Sequence, residues 1–250
     1  MKTIGLIAAM PQESNALLRH IKGWKRISAG SFVGKSLELS GQTILLVTSG
    51  MGVQRASTAA RNLIEKQAVQ MLISFGIAGA VEAALQIGDV ITADAVCRLN
   101  QGTPEPPTPL APWPKAAQEA AVQALSRRGA RLLVGTAVTT GGSQVKEHLL
   151  EKMTHPILEM ETAGIAQVAA EEGIPLLSLR AISDGPCAPI PFDLGKIMDE
   201  NANLQAGRIL SAVIHHPRVI FQFSRLIRNA RIAADNVAIA LMAALSQMTF

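Results

Sequence analysis

The chain has 250 residues, 48% hydrophobic and 17% charged, which is enough apolar material to bury a core and too much for a disordered chain. Two cysteines, Cys97 and Cys187, make no disulfide framework and suit a reducing compartment, and the absence of tyrosine among few aromatics argues against a base-stacking nucleic-acid surface. The formal charge of +4 is uneven: residues 195–250 hold six Lys/Arg against three Asp/Glu, so +3 of it lies there.

Residues 3–9 read as a buried strand, too short an apolar run before Pro11-Gln12-Glu13 to be a signal-peptide core, with a helix over 13–21. Strands over 31–39 and 43–48 flank Gly41-Gln42 as a hairpin. Ser49-Gly50-Met51-Gly52 then opens a helix over 53–66, with Ala56, Ala59 and Ala60 on one side. A strand over 71–75 ends in Gly76-Ile77-Ala78-Gly79, read either as a place where a ligand or backbone comes close or as a plain tight turn. Another strand covers 88–97. Residues 101–114 hold six of the thirteen prolines and predict an irregular surface loop.

Alternation then resumes: helix 115–128, strand 131–138, loop 139–143, helix 144–152, strand 156–160, helix 161–172 stopped by Gly173, and strand 176–182. This pattern predicts one α/β domain over residues 1–194, a three-layer α/β/α fold with a mixed, mostly parallel central sheet. Residues 195–250 predict a helical C-terminal extension of two helices, over 194–216 and 218–247, separated by Pro217. In the second, Val219, Phe223, Leu226 and Ile227 recur at helical spacing among Arg218, Arg225, Arg228 and Arg231. Such helices cover a core or make a subunit interface; the arginines beside Phe221, Phe223 and Ile227 also suit a peripheral membrane surface. The most apolar part, 237–245, is too short to span a bilayer, which takes about 20 residues.

Several familiar motifs fail on spacing. Gly34-Lys35-Ser36 has its upstream glycine at Gly30, one residue short of a phosphate loop, in hairpin context. The five histidines show no metal-ligand spacing, so no metal is expected. No G-x-S-x-G elbow is present to make Ser183 a nucleophile. The carboxylates stand out instead. Glu13 follows the first strand, Glu159 and Glu161 bracket the end of another, and Asp184 ends a third with Arg180 close before it. Taken singly each suits a helix cap or solvated loop; together they predict ionisable groups converging on one sheet edge, where open α/β sheets bind ligands. Glu159 and Asp184 are read as lying at carboxyl ends of neighbouring strands.

The stretches IGLIAAMPQES, VTSGMG, SFGIAGAV, LEMETAGIA and RAISD, in that order over about residues 3–194, resemble the nucleoside phosphorylase/nucleosidase superfamily, in particular the 5′-methylthioadenosine/S-adenosylhomocysteine nucleosidases. The tail and SFGIAGAV are also similar to the hopanoid-associated phosphorylases. The resemblance implies that Asp184 protonates N7 of a leaving purine, Glu161 holds the ribose 2′- and 3′-hydroxyls, and Met160 packs on the ribose. It implies that Glu13 is the base toward an attacking water positioned with Arg180. Glu159, Met10, Met51, Ile77 and Gly79 would complete the sugar and base lining, and Phe192 would lie near the 5′ substituent.

Departures from the family pattern shape the expectation. Ile77 stands where a phosphate-contacting Ser or Thr is common, and Ala9-Met10-Pro11 and Ser74-Phe75 lack the arginines of phosphorylases. A phosphate dianion without such partners is poorly held. Residues 140–145 lack the aromatic that stacks on the base in the nucleosidases. The expected activity is therefore hydrolysis of the N-ribosidic bond of a purine nucleoside, adenine first, with an apolar 5′ substituent. It would need no cofactor. Phosphorolysis, with phosphate as co-substrate, and a nucleoside-binding protein without turnover stay as alternatives. A cytoplasmic homodimer is expected, at the inner membrane surface if the tail anchors it.

Overall fold

Buried aliphatic runs and the turns between them build the elements of the computed structural model, which describes residues 2–29, 31–141, 150, 152–186 and 219–248. In chain order these are β1 (Thr3–Ala8), α1 (Pro11–Leu18), β2 (Lys25–Ala29), β3 (Phe32–Leu39), β4 (Gln42–Thr48), α2 (Val53–Gln67), β5 (Met71–Ala80) and β6 (Val90–Asn100). Then come β7 (Thr103–Pro104), β8 (Thr108–Pro109), α3 (Lys115–Ser126), β9 (Leu132–Thr139), β10 (Ile157–Glu159), α4 (Thr162–Glu171), β11 (Leu176–Asp184) and α5 (Val219–Ser246). The helices expected over 144–152 and 194–216 lie outside the described residues, as do Cys187, Phe192, Arg218 and the side chains of Phe221 and Phe223.

The mixed sheet runs β10-β9-β6-β11-β5-β1-β4-β3-β2. Its middle, β4-β1-β5-β11, is parallel throughout, so four strands point their carboxyl ends to one edge. Period-two alternation sends side chains to opposite faces. Ile4, Leu6, Ala8, Ile73 and Phe75 meet α1, α3 and α5 on one face. Ile7, Leu45 and Leu72 meet Ala56, Ala60 and Leu63 of α2 and Ile165 of α4 on the other. Three layers follow. The last half of α5 belongs to the first of these cores: Ala233, Val237, Ala238, Leu241, Ala244 and Leu245 are buried in it. Asn236 donates to the Gly88 carbonyl at 2.8 Å and accepts from Arg128 Nε at 2.7 Å, and Arg19 pairs with Asp235. No described helix is long and apolar enough to cross a membrane.

Three readings change. β5 does not stop at Phe75 but runs through Gly76-Ile77-Ala78-Gly79 to Ala80, because β11 pairs it residue by residue as far as Gly79 and β10 pairs its end. The tight-turn alternative is thereby removed. The proline-rich stretch is anchored rather than irregular: β7 and β8 fold back on β6, and buried Trp113 donates from Nε1 to the Ser178 carbonyl at 3.3 Å. β10 and β11 are not neighbours; β5 lies between them, parallel to β11 and antiparallel to β10. Through that extra pairing, β5, β11, β6, β9 and β10 close into a ring.

Candidate active site

The ring closure brings the carboxylates together from two directions. β1 and β11 arrive at the carboxyl edge of the sheet, carrying the chain into Met10 and Glu13 and ending at Asp184. β10 runs back along the end of β5, Leu158 opposite Gly79, and so delivers Glu159 and Glu161 to the same place. One cavity of about 590 Å³ is lined by Met10, Glu13, Met51, Ile77, Gly79, Glu159, Met160, Glu161 and Asp184. Arg180 stands behind Glu159 and is not on that wall.

Glu13 is fixed by its own helix and by β5. It occupies the first turn of α1, and its Oε2 accepts the Met10 N–H at 2.8 Å, the reach-back of a capping residue. Oε1 accepts the Ile77 N–H at 2.9 Å. The residue is 2% exposed, and burial pushes its carboxyl up from the ordinary value against the opposing pull of the Arg180 charge and these N–H groups.

Glu159 accepts from five donor groups. Oε1 takes the Thr139 hydroxyl; Oε2 takes the Glu161 N–H at 3.0 Å, the Thr162 N–H at 2.8 Å, the Thr162 hydroxyl at 2.7 Å and Arg180 Nη2 at 3.1 Å. Burial raises its carboxyl, but Arg180 and the hydroxyl donors outweigh that and hold it below the usual range. It therefore stays charged and anchors the N-terminus of α4, whose helix dipole favours an anion there. Arg180 Nη2 also donates to Ser74 Oγ at 2.7 Å and Thr162 Oγ1 at 3.1 Å, while its Nε is buried without a partner among the described residues.

Glu161, at the N-cap of α4, is held differently. Among the described residues, its Oε1 accepts the Gly52 N–H at 2.9 Å, from the turn that opens α2. Burial, then the charge of Glu159, push its carboxyl up to about 8. Asp184 ends β11 at a bulge against Gly79, with Ser183 Oγ donating to Oδ1 at 2.6 Å. Burial raises its carboxyl too, which keeps a proton on it at a higher pH than an exposed Asp. The arrangement thus offers two carboxyls with raised proton affinity, Glu13 and Asp184, at two ends of one β5 segment. Three residues separate their contacts with that strand, about 10 Å at ~3.3 Å per residue.

The sequence did not point to the opposite wall. Leu226, Ile227, Ala230, Arg231 and Ala234 of α5 line the cavity, facing Gln12, Asn15 and Arg19 of α1. Their three-to-four residue spacing marks one helix face. That face read as core or membrane surface, because nothing local says which sheet edge a distant helix will cover. Gly52, Thr139 and Ser74, the partners of Glu161, Glu159 and Arg180, are likewise far off in sequence. Thr140 is on the wall; the rest of the segment expected beside the base, from 142 on, lies outside the described residues.

A profile of the phosphorylase superfamily matches residues 3–215. The chain is 28% identical over 235 residues to the 5′-methylthioadenosine/S-adenosylhomocysteine nucleosidase of Marinomonas sp. (strain MWYL1), covering 84% of this chain and 99% of that one. Among solved structures, the nucleosidase of the same name from Neisseria meningitidis, in complex with methylthio-immucillin-A, matches with TM-score 0.69 and 23% identity over 99% of this chain and all of that one. The futalosine hydrolase of Helicobacter pylori matches with TM-score 0.69 and 18% identity, over 99% of this chain and 98% of that one.

Proposed function

The chain belongs to the phosphorylase superfamily, and from that membership and its buried carboxylates we propose that it hydrolyses the N-ribosidic bond of a purine nucleoside, adenine being the expected base. The observation that carries this reading is the pairing of Glu13 and Asp184, both pushed toward the protonated state, on one wall of a single cavity with Glu161 between α4 and the glycine turn. Breaking such a bond passes through an oxocarbenium-like sugar. Asp184, whose burial favours the protonated form, hands its proton to the base nitrogen as the bond breaks, so that a neutral purine leaves. Glu161, as carboxylate, accepts from the ribose hydroxyls and places its negative charge opposite the forming cation. Glu13 takes the proton of the attacking water, and the charge of Arg180, from behind Glu159, favours the carboxylate form that this requires.

Hydrolysis fits better than phosphorolysis. Among the described residues, the wall around Glu13 is Ala9, Met10 and Ile77, with no cation on it; Arg19 is paired with Asp235, and Arg231 lies on α5. A phosphate dianion beside a buried carboxyl would meet repulsion without a partner. The similarity to nucleosidases supports the same choice. Adenine release from 5′-methylthioadenosine should therefore proceed at one rate with and without phosphate and yield the free sugar. Release that requires phosphate and yields a ribose 1-phosphate would establish phosphorolysis instead. Nucleoside binding without any product would mark a protein that has lost turnover.

The α5 wall sets the expected 5′ substituent. Leu226, Ile227, Ala230 and Ala234 offer it methyl and methylene groups, so an apolar substituent gains from burial at about 25 cal/mol per Å². At the open end of that wall Ile227 is 48% exposed, with Arg225, Arg228 and Arg231 exposed around it. Apolar and basic side chains in this arrangement suit an anionic membrane surface, from which an apolar substrate could enter the cavity. The protein is expected to float with phosphatidylglycerol vesicles at low salt and to release as salt rises. Flotation equal to that with neutral vesicles would rule this contact out.

A further inference from the structure

We infer that Gly76 and Gly79 are positioning residues, each lying beneath one of the two reacting carboxyl groups, where the missing side chain lets that group occupy its place. The assignment takes Glu13 and Asp184 in the roles proposed above. A methyl group at Gly76 would overlap Glu13 Oε1 and stand 2.8 Å from its Cδ; one at Gly79 would stand 2.8 Å from Asp184 Oδ2. Real Cβ atoms essentially never come within 3.0 Å of such neighbours.

Neither glycine is required for backbone reasons. Both lie inside paired β5, and neither has the positive φ that Gly50, Gly52 or Gly88 shows. Glycine weakens a strand interior, having no side chain to pack and more freedom to lose. What these two positions use is the empty space. Into it Glu13 lays its carboxyl along the strand, over Gly76 and onto the Ile77 N–H, and Asp184 lays its own over Gly79. Other crowded strand glycines meet different neighbours: a methyl at Gly34 or Gly135 would strike the carbonyl oxygen of Leu46 or His155. Only the Gly-x-x-Gly of β5 faces titratable groups among these. Acid and base are thus both seated against one strand, and a displacement of about 1 Å at a reacting group can cost ~100-fold in rate.

The test compares Gly76→Ala, Gly79→Ala and the control Gly34→Ala, measuring adenine release from pH 4 to 10 together with melting temperature. Gly76→Ala should lower kcat about 100-fold and move the acid limb to higher pH, because a Glu13 pushed off the Ile77 N–H holds its proton more tightly. Gly79→Ala should lower kcat similarly and move the alkaline limb to lower pH, since Asp184 displaced toward solvent loses its proton sooner. Gly34→Ala should lower the melting temperature with both limbs in place. If the β5 variants behave like Gly34→Ala, the inference fails. Should Gly76→Ala not fold, adding Glu13→Ala ought to restore folding by emptying the contested space; a double variant no more stable than the single one also overturns it. Base release that survives Glu13→Gln and Asp184→Asn would remove the functional reading instead, leaving the packing result to stand on melting alone.

Discussion

Asp184→Asn is expected to lower kcat for adenine release by about 10²–10⁴-fold, the usual worth of a positioned general acid. The asparagine keeps the shape and can still accept from Ser183 Oγ, so the fold and substrate binding should change little. What it cannot do is give up a proton. The direction of pH dependence follows from burial, which raises the Asp184 carboxyl. The acid form is the working form, so the alkaline limb of the parent chain should follow the raised Asp184 carboxyl; the variant should lose that limb. A 4-nitrophenyl riboside, whose leaving group needs no proton, should be cleaved by Asp184→Asn at close to the parent rate. Equal losses on both substrates would mean that Asp184 acts on the sugar or the fold and is no acid.

The second large effect concerns stability. Arg180→Met should cost about 3–5 kcal/mol, because it strands the Glu159 carboxylate in the interior. The pair is almost wholly shielded, the side chains being 3% and 0% exposed. Thr139, Thr162 and two backbone N–H groups would still donate to Glu159, but among the described residues no ion-pair partner would remain for it. Replacing both partners, Arg180→Met with Glu159→Leu, should recover much of the loss, since the desolvation penalty goes with the charges. Urea unfolding of the three chains measures this. A loss below about 1 kcal/mol for Arg180→Met, the range of solvent-exposed pairs, would show that water reaches the pair and that Arg180 faces the substrate more than it supports α4. With the pair intact, Glu159 also accepts the Glu161 N–H and so holds the turn that carries Glu161 into α4.

Most of the elements, and the residues around which the site forms, were legible in the chain. Apolar runs alternating with amphipathic ones gave away β1, β4, β5 and β6 and the helices α2 to α4, because side-chain periodicity is a local property. Glu13, Glu159, Glu161 and Asp184 were conspicuous for a similar reason: each adjoins a run of residues that will be buried, and a carboxyl there must find a partner or a task. Even Gly76 and Gly79 were visible as glycines inside a strand, which signal close approach. Their neighbours were not, since Glu13 is 63 residues from Gly76 and Asp184 105 from Gly79.

By itself, then, the sequence determined the α/β layering, which carboxylates would adjoin buried runs and the lack of arginine in Ala9-Met10-Pro11 and Ser74-Phe75, all of which depend on residue type and short-range pattern. Tertiary structure alone decided how they are used. The antiparallel return of β10 onto β5 is a long-range pairing with no local signature, yet it is what carries Glu159 and Glu161 to Asp184. It also continues β5 through Gly-x-x-Gly, turning a suspected turn into a rigid rail for two carboxyls. The Glu159–Arg180 pair and the α5 wall have the same character: hydrogen bonds and burial depend on which distant surfaces meet, and that is settled only when the chain has closed on itself.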